Sequence, residues 1–173
     1  MRYFLDTEFN EMGPHLPIDL ISIGIVAEDG REFYAISTEF RAEDCNDWVQ
    51  KSVLPHLLGT VRAGIGQASL KEIREALLKF CGPERYGRPE FWGYFADYDW
   101  VVFCQIFGTM VDLPKGWPMY CRDLEQWCDK LGNPKLPKQA STEHNALCDA
   151  RWNREVWEFL SAREIVAAFG ETQ

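Results

Sequence analysis

At 173 residues, 46% hydrophobic and 26% charged, the chain has the size and composition of one globular domain around a single sizeable core. A net charge of −9 argues against a long, nonspecific footprint on duplex nucleic acid, which wants a basic surface. No start pattern of a secretory signal is legible, and no uncharged stretch approaches the roughly 20 residues of a membrane span, so a cytoplasmic protein with no membrane partner is expected.

In chain order, Arg2 to Asp6 is an apolar run ending in an acid, consistent with a buried strand. Asp19 to Ala27 reads as a second strand and Glu32 to Ser37 as a third, joined by Glu28-Asp29-Gly30-Arg31. Asp-Gly between apolar runs is a strong hairpin signal. Residues 43–67 carry no legible pattern. Leu70, Ile73, Leu77 and Leu78 have helical spacing, with Ser69 and Glu72 as a capping box and Gly82-Pro83 as the stop. Glu90 to Ala96 reads as a fourth strand, running into a helix from Asp99 to Phe107 closed by Gly108. Met119 to Cys121 is a candidate fifth strand before a helix from Asp123 to Leu131. After a loop from Asn133 to Thr142 come two helices, Asn145 to Leu160 and Ala162 to Phe169. The order predicts one α/β domain over 1–173, with a core over 1–160, a C-terminal helix over 162–170, and a mixed sheet covered by helices. Six cysteines without a Cys-x-x-Cys pair point to reduced thiols and to neither a zinc knuckle nor a redox motif.

Three acidic features carry possible chemistry. Asp6 and Glu8 stand two apart on a strand, so their carboxylates share a face, as a common hard cation requires. Solvated charge at a strand end explains the pair equally well. A second Asp-x-Glu, Asp123 and Glu125, opens a helix and reads as charge that complements the helix dipole. His144 precedes Asp149 by five residues; with Asn145 as cap and Asp149 one turn in, His144 can swing from the loop as a water-activating base. The plain alternative is a surface His before an ordinary helix. Asp97 and Asp99 lie at a strand–helix junction, where one is expected as an N-cap and the other free for a ligand role.

The order of these weak signals, a strand-borne Asp-x-Glu, an Asp at a mid-chain junction and His-x4-Asp opening a late helix, resembles the DEDDh exonuclease superfamily of proofreading domains, RNase T and oligoribonuclease. The size and the stretch Phe95-Ala96-Asp97-Tyr98-Asp99-Trp100 look most like a small exoribonuclease family described from mycobacteria. The resemblance implies an RNase H-like, five-stranded mixed sheet. It further implies that Asp6, Glu8, Asp99 and Asp149 ligate two Mg²⁺ or Mn²⁺ ions, that His144 is the general base, and that a homodimer forms. Tyr98 before Asp99 matches the family pattern of an aromatic before the mid-chain ligand, leaving Asp97 as the cap. Position 145 holds Asn where the related Tyr class holds its Tyr, which favours the His class. Many members carry Asn where this chain has Phe95, so the substrate contact there differs. Phe9 and Met12, just past the acid pair, and Phe95 are candidates for packing on the terminal base, with plain core packing as the alternative for Phe9 and Met12.

The implied activity is stepwise hydrolysis of single-stranded RNA from its 3′ end to nucleoside 5′-monophosphates. DNA, including short DNA, is the alternative substrate. A glycosidase would need neither four acids nor the His, and a non-catalytic RNA-binding relic of the fold would be expected to have lost ligands.

Overall fold

The computed structural model describes residues 1–14, 17–57, 64–82, 86–139 and 143–170. Its centre is a six-stranded mixed sheet in the order β4-β3-β2-β1-β5-β6. Strands β1 (Arg2–Glu11), β2 (Ile18–Ala27) and β3 (Glu32–Ser37) form an antiparallel meander. The Asp29-Gly30 turn closes β2 to β3, with Gly30 at φ 88° and its N–H on the Ala27 carbonyl at 2.9 Å. β4 (Gly66–Ala68), β5 (Glu90–Gly93) and β6 (Arg122–Asp123) add parallel pairings at the two edges.

Alternation along β1 sorts the two layers. Tyr3 and Leu5 belong to a core with α2 (Leu70–Phe80) and α3 (Asp97–Gln105), through Ile73, Leu77, Trp100 and Phe103. Phe4 belongs to the opposite core, with α1 (Asp47–Ser52) and α5 (Ala146–Gly170), through Val49, Ala146, Leu147 and Ala150. A third cluster joins α4 (Leu124–Lys130) to α5 through Leu124, Cys128, Val156 and Leu160. No helix among the described residues is long and apolar enough to cross a membrane.

Several sequence expectations are corrected. The sheet has six strands rather than five, because Gly66–Ala68 adds a short edge strand on β3. That stretch has too few residues to show a period. Within 43–67, Asn46 caps the short helix α1, its side chain accepting from the Val49 N–H at 3.0 Å; residues 58–63 lie outside the described set. The last strand is Arg122–Asp123, not 119–121, and Met119 and Tyr120 are exposed.

The fourth strand ends at Gly93, since Phe95 takes a left-handed φ of 51° that an extended strand does not tolerate. Helix α3 therefore starts at Asp97, two residues early, and its N-cap is Ala96 with no side-chain cap bond. Asp97 is thus an exposed first-turn residue rather than the expected cap. The final two helices are one, Ala146–Gly170, because Leu160-Ser161-Ala162 contains no Gly or Pro to break it. The capping box stands as expected: Ser69 and Glu72 bond reciprocally, with the Ser69 N–H on Glu72 at 2.9 Å. Pro83 and residues 140–142 of the expected late loop lie outside the described residues.

Candidate active site

The site begins where β5 parts from β1. Their parallel register ends at Phe4 opposite Trp92, leaving two backbone groups of β1 without a strand partner on that edge. Buried backbone polar groups must be paired, and side chains take both. Asn153 of α5 donates to the Leu5 carbonyl at 2.9 Å. The Thr7 N–H donates to Asp99 Oδ1 at 2.7 Å, and the Thr7 hydroxyl donates to the same oxygen at 2.6 Å. Open α/β sheets bind ligands in such a gap, outside the carboxyl ends of adjoining strands.

Asp6 and Glu8 continue the Phe4 face, toward α5. Gly24, paired with Asp6 across the meander, allows the start of α5 to press on the sheet. A Cβ at Gly24 would lie 2.2 Å from the Ala146 carbonyl oxygen, so only glycine fits. The close approach brings the first turn of α5, with Asp149, beside the β1 pair. One carboxylate oxygen from each of Asp6, Glu8 and Asp149 lies within 4.8 Å of the others. Asp99 reaches the same edge from the opposite layer through Thr7 and stands outside that trio.

The start of α5 also sets Asp149. Asn145 caps the helix, its Oδ1 accepting from the Cys148 N–H at 3.2 Å, while its own N–H donates to Asp149 Oδ2 at 3.1 Å. The Gln139 amide donates to Asp149 Oδ1. His144 precedes the cap in a left-handed conformation, φ 62°, and its ring meets Trp48 of α1 edge-on at 5.0 Å. Together with Asp6, Tyr94 and Trp152, the residues Gln139, His144 and Asp149 line one cleft.

Electrostatically the four acids oppose one another. Burial, then the charges of Asp99, Glu8 and Asp149, push the Asp6 carboxyl well above its usual range. Burial, then Asp149 and Asp99, raise Glu8 to about 8. Burial raises Asp99 to about 6 against the lowering effect of its Thr7 bonds. Asp149 is raised chiefly by burial, while Gln139, the Asn145 N–H and His144 pull it back. Among the described residues, no Lys or Arg forms an ion pair with any of the four. An all-oxygen, mutually repelling donor set without its own cation fits a hard divalent ion.

The expected base-contacting residues are not among those lining this cleft. Phe9 is partly buried against the core and stacks on Tyr98 at 5.7 Å, the ring planes 9° apart. Met12 is half-buried. Phe95 is 66% exposed and touches Tyr94 at 4.7 Å. Thr7, Gln139, Asn153 and Trp48 border the site, and sequence reading assigned them no role. Their partners lie up to 148 residues away, and no local pattern marks such contacts.

Comparison with known proteins agrees with this architecture. A solved structure of S. pombe Pop2p, in a Mg²⁺- and Mn²⁺-bound form, matches with a TM-score of 0.51 over 94% of this chain and 82% of that chain at 14% identity. That likeness is one of fold, and the expected RNase H-like architecture holds. Two relatives from Mycobacterium tuberculosis strains, 3′-5′ exoribonuclease Rv2179c and 3′-5′ exoribonuclease MT2234.1, are each 44% identical over 151 residues, or 87% of this chain and 88% of the relative. The model of the 3′-5′ exoribonuclease Rv2179c-like domain matches residues 1–161. With the match running across nearly the whole chain, the protein belongs to the Rv2179c-like 3′-5′ exoribonuclease domain family.

Proposed function

We propose that this protein is a divalent-metal-dependent 3′-5′ exoribonuclease, releasing nucleoside 5′-monophosphates from single-stranded RNA, with two Mg²⁺ or Mn²⁺ ions held by Asp6, Glu8, Asp99 and Asp149. The observation that carries the reading is the convergence of Asp6, Glu8 and Asp149 within 4.8 Å, at a position where Glu8 and Asp149 raise the proton affinity of Asp6 and Asp149 raises that of Glu8. The names of the M. tuberculosis relatives support RNA and the 3′ end. The metal-bound form of Pop2p, a neighbour in fold, supports the choice of ions.

When bound, such ions lower the pKa of a water and offset charge on the phosphate. Asp6 and Glu8 on β1 and Asp149 on α5 supply oxygen donors from two elements clamped together at Gly24. Asp99 commits one oxygen to Thr7 and keeps the other for a ligand. His144, beside Asp149, takes the proton of the attacking water as the phosphorus to 3′-oxygen bond breaks; the leaving oxygen is protonated from solvent. Phe9, Met12 and Phe95 contact the terminal bases, where an aromatic face is worth about 1–3 kcal/mol per base. Cytoplasmic residence and a homodimer complete the reading, both by family analogy.

The test is degradation of 5′-labelled oligomers with Mn²⁺ or with excess EDTA. The reading expects a ladder shortening from the 3′ end on RNA, faster than on DNA of the same sequence, and no products in EDTA. Equal cleavage of 3′-blocked RNA, or full activity in EDTA, contradicts it.

A further inference from the structure

The segment between α4 and α5 is fastened along its length before it reaches the site. Its first turn closes with the Asn133 N–H on the Cys128 carbonyl at 3.0 Å, and the Cys128 thiol lies on the Pro134 carbonyl at 3.7 Å. Leu136 packs into the cluster that joins α4 to α5. The Trp152 indole N–H of α5 donates to the Pro137 carbonyl at 3.0 Å. Two residues on, the Gln139 amide donates to Asp149 Oδ1. Trp152 and Asp149 lie three apart on α5 and so share a helix face; the strap is pinned to the same face that carries the acid.

Asp149 therefore has donors on both oxygens, Oδ2 from the Asn145 N–H and Oδ1 from Gln139, with the His144 backbone N–H as a further donor. The last torsion of a carboxylate is broad and roughly two-fold, so a side-chain donor from outside the helix adds a constraint to those of the backbone. The Gln139 bond thus constrains a carboxylate that has an oxygen within 4.8 Å of those of Asp6 and Glu8.

We infer that Gln139 is a positioning residue for the metal site: its amide aims Asp149, and the Trp152–Pro137 bond holds Gln139 in place to do so. The inference rests on the proposed metal reading and adds to it a determinant of affinity that acts through Asp149. Outer-shell donors to metal-ligating groups typically contribute 10- to 100-fold in affinity.

The experiment is Mn²⁺ titration by calorimetry, without substrate, on the wild type and on Gln139→Ala, Gln139→Glu and Trp152→Phe, each first checked for an unchanged melting temperature in EDTA. Gln139→Glu keeps shape while replacing the donor with an acceptor, so a packing role would survive it. The expected result is Mn²⁺ affinity weakened about 10- to 100-fold in both Gln139 variants, and less in Trp152→Phe, which loses the tether but keeps the Gln139 amide. A wild type that binds Mn²⁺ while both Gln139 variants bind it equally well overturns this inference and leaves the metal reading standing. Absence of Mn²⁺ binding by the wild type overturns the metal reading itself, and this inference with it.

Discussion

Thr7 donates both its backbone N–H and its hydroxyl to a single oxygen of Asp99, at 2.7 and 2.6 Å. Both residues lie on the side of the sheet away from the Asp6/Glu8 face: Thr7 points toward α3, which carries Asp99, while its neighbours in sequence point toward α5. One side chain thus links the mid-chain acid to the strand that carries the other two. Hydrogen bonds to an ionised group contribute about 1.5–3 kcal/mol, and Asp99 is 7% exposed. Thr7→Val keeps volume and the backbone bond but loses the hydroxyl. It is expected to lower stability by about 1–3 kcal/mol and to reduce turnover, whereas Thr7→Ser restores most of both. Urea denaturation with parallel rate measurements decides; a Val variant indistinguishable from wild type removes the link from the account.

The junction acids separate cleanly. Asp123 accepts from the Gln126 N–H at 2.9 Å as the cap of α4 and from the Ala96 N–H at 2.7 Å at the start of α3. Asp97 is exposed and caps nothing. Asp123→Ala should cost at least the 0.5–2 kcal/mol of a lost cap, about 2 kcal/mol with the second bond included. Asp97→Ala should stay within about 0.5 kcal/mol and keep full turnover. Thermal melts of the two variants side by side would reverse this assignment if Asp97→Ala proved the costlier.

Gly24→Ala places a methyl group 2.2 Å from the Ala146 carbonyl, against backbone that has no room to yield. The start of α5 must move off β2, taking Asp149 from Asp6 and Glu8. Loss of activity together with a stability loss of several kcal/mol, in the range of overpacked cores or beyond, is expected. An Ala variant with wild-type Mn²⁺ response would show that the close approach does not position the acid.

In the metal-free protein, proton affinity and stability are linked. Glu8 rises from an ordinary 4.5 to about 8 and Asp99 from 3.8 to about 6. A carboxyl whose folded pKa is raised binds more protons folded than unfolded. Its contribution is full below the unfolded value and is lost as pH climbs through the folded one, here across the window from about 4 to about 8. The EDTA-treated protein should therefore melt at a lower temperature near pH 9 than near pH 5, and Glu8→Gln should flatten that dependence. Added Mn²⁺ should raise the melting temperature most at the alkaline end, where the acids are ionised. A metal-free melting temperature that climbs steadily from pH 5 to pH 9 contradicts the crowding of these acids.

What the sequence made legible were the local devices. The Ser69/Glu72 capping box, the Asp29-Gly30 turn and the Asn145 cap each involve groups within a few residues, so composition and spacing suffice to find them. The Asp6/Glu8 pair shares a face because strand alternation requires it. What stayed hidden depends on distant chain. β4 forms only because Gly66–Ala68 meets β3. The end of β5 is not legible because Phe95 adopts a left-handed turn that its apolar neighbours do not advertise. Gln139 lies in a Pro/Lys-rich stretch that resembles any surface loop, and its role appears only once Trp152 and Asp149 present a common helix face. Trp48 and His144 meet across a separation of 96 residues through α1, a helix too short for a periodic signal.

The most direct test of the central claim is mononucleotide release from single-stranded RNA by the wild type and by Asp6→Asn, Glu8→Gln and Asp149→Asn, measured across a Mn²⁺ titration with each fold verified by circular dichroism. The account predicts saturable Mn²⁺-dependent release by the wild type and none above background from any of the three folded variants. Folded variants that release nucleotides at the wild-type rate would contradict it, because the three converging carboxylates would then not be the site of the chemistry.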